Sequence, residues 1–147
     1  MKTSLKQFLN SKGCYSRPDP RVTDESIARL GVTPGAAFAE FYHDYEGAFG
    51  SDFTGYILSD VVRGDETSIV GATEYFRENE TGWIYEHLVI SDMCAHAVLV
   101  YDCITDRVYN VDFEGGSDRL KEGTLEPQWS SFEDFLDFYF LGVGSEN

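Results

Sequence analysis

The chain has 147 residues, of which 42% are hydrophobic and 25% charged, and its 26 acidic and 11 basic residues give a formal net charge of −15. This length suits one globular domain with a single core, and 11 Phe, 9 Tyr and 2 Trp argue against disorder. So acidic a surface repels polyanions, which disfavours direct DNA or RNA binding. No apolar run approaches the ~20 residues that span a bilayer and the N-terminus is too polar for a signal peptide, so we expect a cytoplasmic protein without membrane contact.

The first part of the chain has the spacing of short helices. Ser4 and Gln7 form a capping-box pattern ahead of an apolar helix that stops at Gly13. A connector with two prolines follows, because proline cannot continue a helix. Thr23 is then expected to cap a second helix that ends at Gly31.

An aromatic stripe predicts a third helix. Thr33 and Pro34 supply a cap oxygen followed by proline at the first helical position, and Gly47 marks the stop. Core packing is a commoner use of such a stripe than a cofactor slot. The stripe consists of Phe38, Phe41, Tyr42 and Tyr45.

The middle of the chain has the pattern of short strands. We interpret 53–58 and 87–91 as strands, with a helix over 67–79 between them. Residues 97–101 are apolar on both faces, as in a central strand, and 107–113 alternate. The short connection between these last two strands suits an antiparallel hairpin.

The chain closes with a glycine-rich loop over 114–117 and a last helix, for which Ser130 and Glu133 form a second capping box. We expect 1–142 to be ordered and 143–147 to be a frayed tail. The order of elements predicts an α+β fold: a single domain with an antiparallel β-sheet packed against N-terminal helices and a closing C-terminal helix. The apolar stripe of the last helix consists of Phe132, Phe135, Leu136, Tyr139 and Phe140.

The residue types that carry chemistry do not form a known motif. Three cysteines at wide spacing indicate a reducing compartment rather than a disulfide framework. Cys94, His96 and Cys103 have metal-ligating atoms but lack the paired spacing of a zinc site, so we predict packed side chains and no cofactor. Since no nucleophile lies in a catalytic motif, we expect a protein that is not an enzyme. A small hydrolase with an acidic site is the alternative.

The charge is unevenly distributed. Residues 1–29 hold six basic and three acidic residues, whereas 30–147 hold five basic and 23 acidic residues. Acids that share one face would attract a basic partner and speed its association; a solvated surface that only keeps the protein soluble is the alternative. We expect the partner to bind acids in loops and at strand ends, with one aromatic anchor. These candidates are Asp52, Tyr56, Asp60, Asp65, Glu66, Asp92, Asp112, Glu114 and Asp118.

Three stretches occur in an order found in a known family: 30–34 ahead of the aromatic helix, the hairpin over 88–109, and 129–136. Together they resemble the SUKH superfamily, which includes bacterial immunity proteins and fungal regulators of cell-wall synthesis. The turn over 91–95 departs from the family's glycine- and acid-rich pattern, because it holds only the acid.

The resemblance implies a non-catalytic binding protein that neutralises a cognate toxin, often a nuclease with a basic substrate site. An intracellular regulatory or scaffold module that binds a host protein is the alternative. The sequence leaves a homodimer open.

Overall fold

The computed structural model describes residues 1–62 and 68–144, and within them the chain forms six α-helices, a short 3₁₀ helix and three β-strands. The predicted α+β fold is confirmed. The α-helices are α1 (Thr3–Ser11), α2 (Arg21–Leu30), α3 (Ala36–Asp44), α4 (Ile69–Asn79), α5 (Gly116–Glu122) and α6 (Phe132–Leu141). The strands are β1 (His87–Val89), β2 (Ala97–Asp102) and β3 (Val108–Asp112), and the 3₁₀ helix is Gly13–Tyr15.

The three strands form an antiparallel sheet in the order β1-β2-β3. Leu88 pairs with Tyr101, and Leu99 pairs with Asn110. All six residues of β2 are buried, so the predicted central strand and its hairpin with β3 are confirmed. The sheet is therefore covered on both faces.

The main core lies between one face of the sheet and the helices from the two ends of the chain. The α3 stripe is buried as predicted, and the Phe38 ring stacks on the Tyr101 ring of β2 at a centroid distance of 4.6 Å. Phe132 of α6 packs against both rings. Each fully buried side chain of this size contributes about 2–3 kcal/mol relative to exposure, so the stripe accounts for much of the stability.

A second, smaller core covers the opposite face of the sheet. Val98, Val100 and Val111 point into it, and Leu120 of α5 packs on them. The sequence did not predict α5, because the glycines over 114–117 were interpreted as a loop. The Asp112 carboxylate organises this turn: its Oδ1 accepts from the Glu114 amide at 2.9 Å and from the Gly116 amide at 3.1 Å.

The predicted strand over 53–58 is wrong. Only Leu58 pairs there, through isolated bridges to Phe49 and Ser91. The segment is held instead by Tyr139, whose hydroxyl accepts from the Leu58 amide at 2.9 Å. The same amide also donates to the Phe49 carbonyl at 3.0 Å, so a side chain from α6 and isolated bridges hold the segment in place of a paired strand.

Two predicted caps in the first part of the chain are also wrong. α1 begins at Thr3 with Lys2 in the cap position, so Ser4 lies inside the helix. Thr23 lies inside α2, where its buried hydroxyl donates to the Tyr42 carbonyl. Gly31 does end α2, in the left-handed conformation that glycine favours.

The starts of α3 and α6 differ from prediction by one or two residues. Gly35 occupies the cap position of α3, rather than Thr33. Ser131, rather than Ser130, caps α6, and its hydroxyl accepts from the Asp134 amide at 3.1 Å. The five apolar residues predicted to face inward from α6 are all buried. Of the predicted tail, residues 145–147 lie outside the described part of the chain.

Candidate functional site

Four of the acidic candidates lie at one end of the sheet. Asp92 follows β1 closely and Asp112 is the last residue of β3, while β2 begins at Ala97, which pairs with Asp112. Because antiparallel strands bring the end of one beside the start of the next, Asp92 and Asp112 share this end. Glu114 and Asp118 follow in the turn into α5 and in its first turn. We call Asp92, Asp112, Glu114 and Asp118 the acidic end.

Little positive charge compensates the acidic end. Arg119 Nη2 lies 3.8 Å from Asp112 Oδ2. Among residues 1–62 and 68–144, Asp92, Glu114 and Asp118 form no ion pair, and the last two are exposed. Hydrogen bonds from the Gly116 and Glu114 amides hold the pKa of Asp112 below its ordinary value, so it stays ionised. The four carboxylates therefore add to one negative field.

Asp92 also has a structural role. Its Oδ1 accepts from the Ile57 amide at 2.8 Å, and its own amide donates to the Ile57 carbonyl at 3.2 Å. Tyr56, the predicted aromatic anchor, is half-buried, and its hydroxyl donates to Asn110 Oδ1 at 2.8 Å. Since Asn110 precedes Asp112 by two residues on β3, Tyr56 lies beside the acidic end.

The remaining acidic candidates do not join this group. Asp60 is 1% exposed and accepts hydrogen bonds from Arg17 Nη2 and the Gly47 amide, so its assignment to a binding surface is wrong. A buried carboxylate needs a partner of opposite charge, and Arg17 supplies it. Asp52 is exposed but lines a different cavity, together with Lys12. Asp65 and Glu66 lie outside the described residues.

An apolar groove of about 500 Å³ adjoins the acidic end. It lies between α4 and the chain that follows β1, and Asp92 belongs to both features. Tyr75 and Met93 are 53% and 56% exposed at its rim. An apolar centre with a polar rim is the usual anatomy of a protein interface. Its lining consists of Ala72, Tyr75, Phe76, Val89, Ser91, Asp92, Met93 and Val98.

The groove was missed from the sequence. Its walls come from α4 and from both sides of the β1–β2 turn, so no local pattern joins them. The only local signal was Met93, an apolar residue next to an acid in a predicted turn. Exposed apolar residues of this kind are common and do not by themselves indicate a site.

A buried histidine–aspartate pair lies at the opposite end of the sheet, where His87 Nε2 is 3.5 Å from Asp102 Oδ2. Burial acts to raise the pKa of Asp102, but hydrogen bonds from His87, the Ile104 amide and the Thr105 hydroxyl outweigh it and lower that pKa to about 2. His87 and Asp102 are 6% and 8% exposed, so neither has open access to a substrate.

The cysteines and histidine considered as metal ligands are separated by the sheet. Cys94 and His96 belong to the turn before β2, whereas Cys103 follows its other end. Among the described residues, no group of three or more His, Cys, Asp or Glu side chains could hold a metal ion.

Comparison with known proteins does not assign this site: neither the scan against protein-family models nor the search of curated proteins found a match. None of the helices in the described ranges is long and apolar enough to cross a membrane.

Proposed function

We propose that this protein is a non-catalytic, immunity-type binding protein that neutralises a cognate basic toxin, with a nuclease as the best fit. The observation that carries the proposal is the acidic end with an apolar groove beside it. The resemblance of the sequence to the SUKH superfamily supports the same function.

The chemistry of the acidic end suits a nuclease. A site that binds phosphates presents lysine and arginine, and carboxylates can occupy the same positions. The summed negative field speeds the encounter with such a site, and an apolar side chain in the groove would then slow dissociation.

Binding is favoured over catalysis because several titratable side chains already have structural partners. Asp92 and Asp112 accept backbone hydrogen bonds, and His87 and Asp102 are buried together. A nucleophile activated by an oriented base would need a different arrangement.

The proposal is tested with the product of the neighbouring gene. The probe is that protein, purified, and the measurement is its association rate by stopped-flow at several salt concentrations. The test variant combines D92N, D112N, E114Q and D118N; asparagine keeps the acceptor oxygens that Ile57 and the α5 turn require. We expect its association rate to fall ~10-fold or more at low salt, with a flatter salt dependence.

A matched control removes four exposed acids from other parts of the surface: D24N, E25Q, E78Q and E126Q. Its net charge equals that of the test variant, so a position-specific effect slows the test variant much more than the control. Equal rates for the two variants would show that only total charge matters. Failure of the wild-type protein to bind or inhibit the neighbouring gene product would remove the immunity function and favour the scaffold alternative.

A further inference from the structure

The apolar groove beside α4 has acidic residues on two sides. Asp92 lies on its β1 side. On its β3 side, the Phe76 ring of the lining packs against the Phe113 ring at a centroid distance of 5.8 Å. Phe113 lies between Asp112 and Glu114 in the chain. Because β2 separates β1 from β3 in the sheet, the carboxylates of the acidic end are placed on both sides of the groove.

The interior of the groove suits a bulky apolar side chain. Val89 and Val98 are buried in its lining, and the exposed side chains of Tyr75 and Met93 stand at the rim. Methionine adapts its shape to a neighbour and makes favourable contacts with aromatic rings. The volume of about 500 Å³ is within the range of pockets that hold small ligands, so one large side chain of a partner has room to enter.

The charges around the groove favour a cation beside that side chain. Among the described residues, the lining contains the carboxylate of Asp92 and no lysine or arginine. Arg77 of α4 is held elsewhere, since its Nη2 donates to the Tyr85 carbonyl at 2.7 Å and its guanidinium lies over the Tyr85 ring. Arg119 lies 3.8 Å from Asp112 and offsets one of the four carboxylates of the acidic end. The field at the groove is therefore negative.

From these observations we propose that the groove binds a segment of the partner in which one bulky apolar side chain has a basic residue on each side. The apolar side chain enters the groove, and the two cations are attracted by Asp92 on one side and by Asp112 and Glu114 on the other. This recognition motif rests on the proposed function, because it specifies which part of a basic toxin the groove would hold.

Three short peptides test the motif without the toxin. They are N-acetyl-Arg-Phe-Arg-amide, N-acetyl-Gln-Phe-Gln-amide, which lacks the cations, and N-acetyl-Arg-Ala-Arg-amide, which lacks the ring. The readout is NMR of protein labelled with ¹³C at the methionine methyl groups, which gives two signals because the chain has two methionines. Met93 lines the groove, and M93L assigns its signal. Met1 is the internal reference, since its amino group lies 3.5 Å from Glu40 of α3.

We expect the Arg-Phe-Arg peptide to give a saturable shift of the Met93 signal and to leave the Met1 signal unchanged. The Gln-Phe-Gln peptide should bind ~5-fold more weakly, the usual effect of two exposed ion pairs, and high salt should remove this difference. The Arg-Ala-Arg peptide should bind ~10-fold more weakly or not at all, because it buries no ring.

Two pairs of variants connect these differences to the structure. D92N/E114Q should bring the affinity for Arg-Phe-Arg close to that for Gln-Phe-Gln. D24N/E126Q is the matched control, since it removes two exposed acids from other parts of the surface, and it should keep the preference.

The second pair tests the apolar lining. Y75A should weaken the Arg-Phe-Arg and Gln-Phe-Gln peptides by the same factor, because it removes an apolar part of the rim and no charge. I104A is its control, since Ile104 is exposed beyond the other end of β2 and should leave both affinities unchanged. Both residues are exposed, so we expect both variants to fold.

A Met93 signal that does not shift with the Arg-Phe-Arg peptide would overturn the proposal. Equal binding of this peptide and the Gln-Phe-Gln peptide would also overturn it, since the groove would then be an apolar site only. The outcome is separable from that of the proposed function. If the peptides fail while the neighbouring gene product still binds, only the motif is wrong; if the peptides bind while that product does not, the motif stands and the immunity function is removed.

Discussion

The buried pair of Arg17 and Asp60 shows how one residue can change role between sequence and structure. Arg17 Nε donates to the Tyr42 carbonyl at 2.7 Å, and its Nη2 donates to Asp60. Arg17 Nη1 is also 3.7 Å from Glu46 Oε2. The pair ties the proline-containing connector to α3 and to the loop after it.

Replacement of Asp60 by alanine leaves the Arg17 guanidinium buried without its closest counter-charge. We expect D60A to lower the free energy of unfolding by about 3–5 kcal/mol, measured by urea denaturation. The double variant R17M/D60L should lose less than D60A, because it removes the unpaired charge as well. A double variant less stable than D60A would contradict this account.

At the scale of the elements, α5 and α6 end in the same way but in different surroundings. Gly123 follows α5 with φ +78°, and Gly142 follows α6 with φ +67°. A Cβ at Gly123 would meet nothing within 4 Å, whereas one at Gly142 would overlap the ring of Phe53. The second glycine therefore serves both the helix end and the packing of the 53–58 segment.

Alanine at these two positions separates backbone strain from steric contact. G123A should cost about 1 kcal/mol, the usual penalty for a left-handed residue with a Cβ. G142A should cost more, because the Phe53 ring must also move. Urea denaturation measures both losses. In a background that carries F53A, the further loss caused by G142A should fall close to that of G123A. Equal losses for the two single variants would argue against a packing role for Gly142.

At the scale of the whole molecule, the basic residues near the N-terminus form ion pairs with acidic residues, most of which lie on other elements. Five of the six basic residues before residue 30 form ion pairs with acids. These ion pairs neutralise the positive charge of the N-terminal residues. The negative charge of the acidic end is therefore not neutralised by them. The pairs are Lys2–Asp137, Lys6–Glu40, Arg17–Asp60, Arg21–Asp19 and Arg29–Glu74.

The buried tyrosines of the main core predict how the free energy of unfolding depends on alkaline pH. Burial raises the pKa of Tyr42, Tyr101 and Tyr139 above the ordinary value of 10.0. Below pH 10 all three phenols are neutral in both the folded and the unfolded state, so their contribution to the free energy of unfolding is fully present. Above it the unfolded chain releases protons that the fold retains, and stability falls by up to ~1.4 kcal/mol per pH unit for each tyrosine.

Urea denaturation between pH 8 and 11.5 checks this expectation. Y101F should make the alkaline decline of the free energy of unfolding shallower, since one buried phenol with a raised pKa is removed. Y75F, at a tyrosine that is 53% exposed, is the matched control and should leave the slope unchanged. Equal effects of the two variants would contradict the role of burial.

The spacing of apolar residues predicted the elements whose structure is decided by burial alone. The α3 stripe, the α6 stripe and the fully buried strand β2 could be predicted because their apolar residues repeat at the spacing of the element. The caps could not be predicted: α1 and α2 begin after Lys2 and Pro20 without a side-chain cap, and α6 uses Ser131, the neighbour of the predicted Ser130. α5 was missed because its start depends on the Asp112 carboxylate rather than on a local pattern.

By itself, the amino-acid sequence determined the fold class, the inward faces of the main elements and the excess of negative charge. The tertiary structure decided which acids act together: it buried Asp60 against Arg17 and brought Asp92 and Asp112 to one end of the sheet. It also built the groove beside α4. The physical reason is that burial repeats along the chain and can be read locally, whereas fields and cavities arise between segments that only folding brings together.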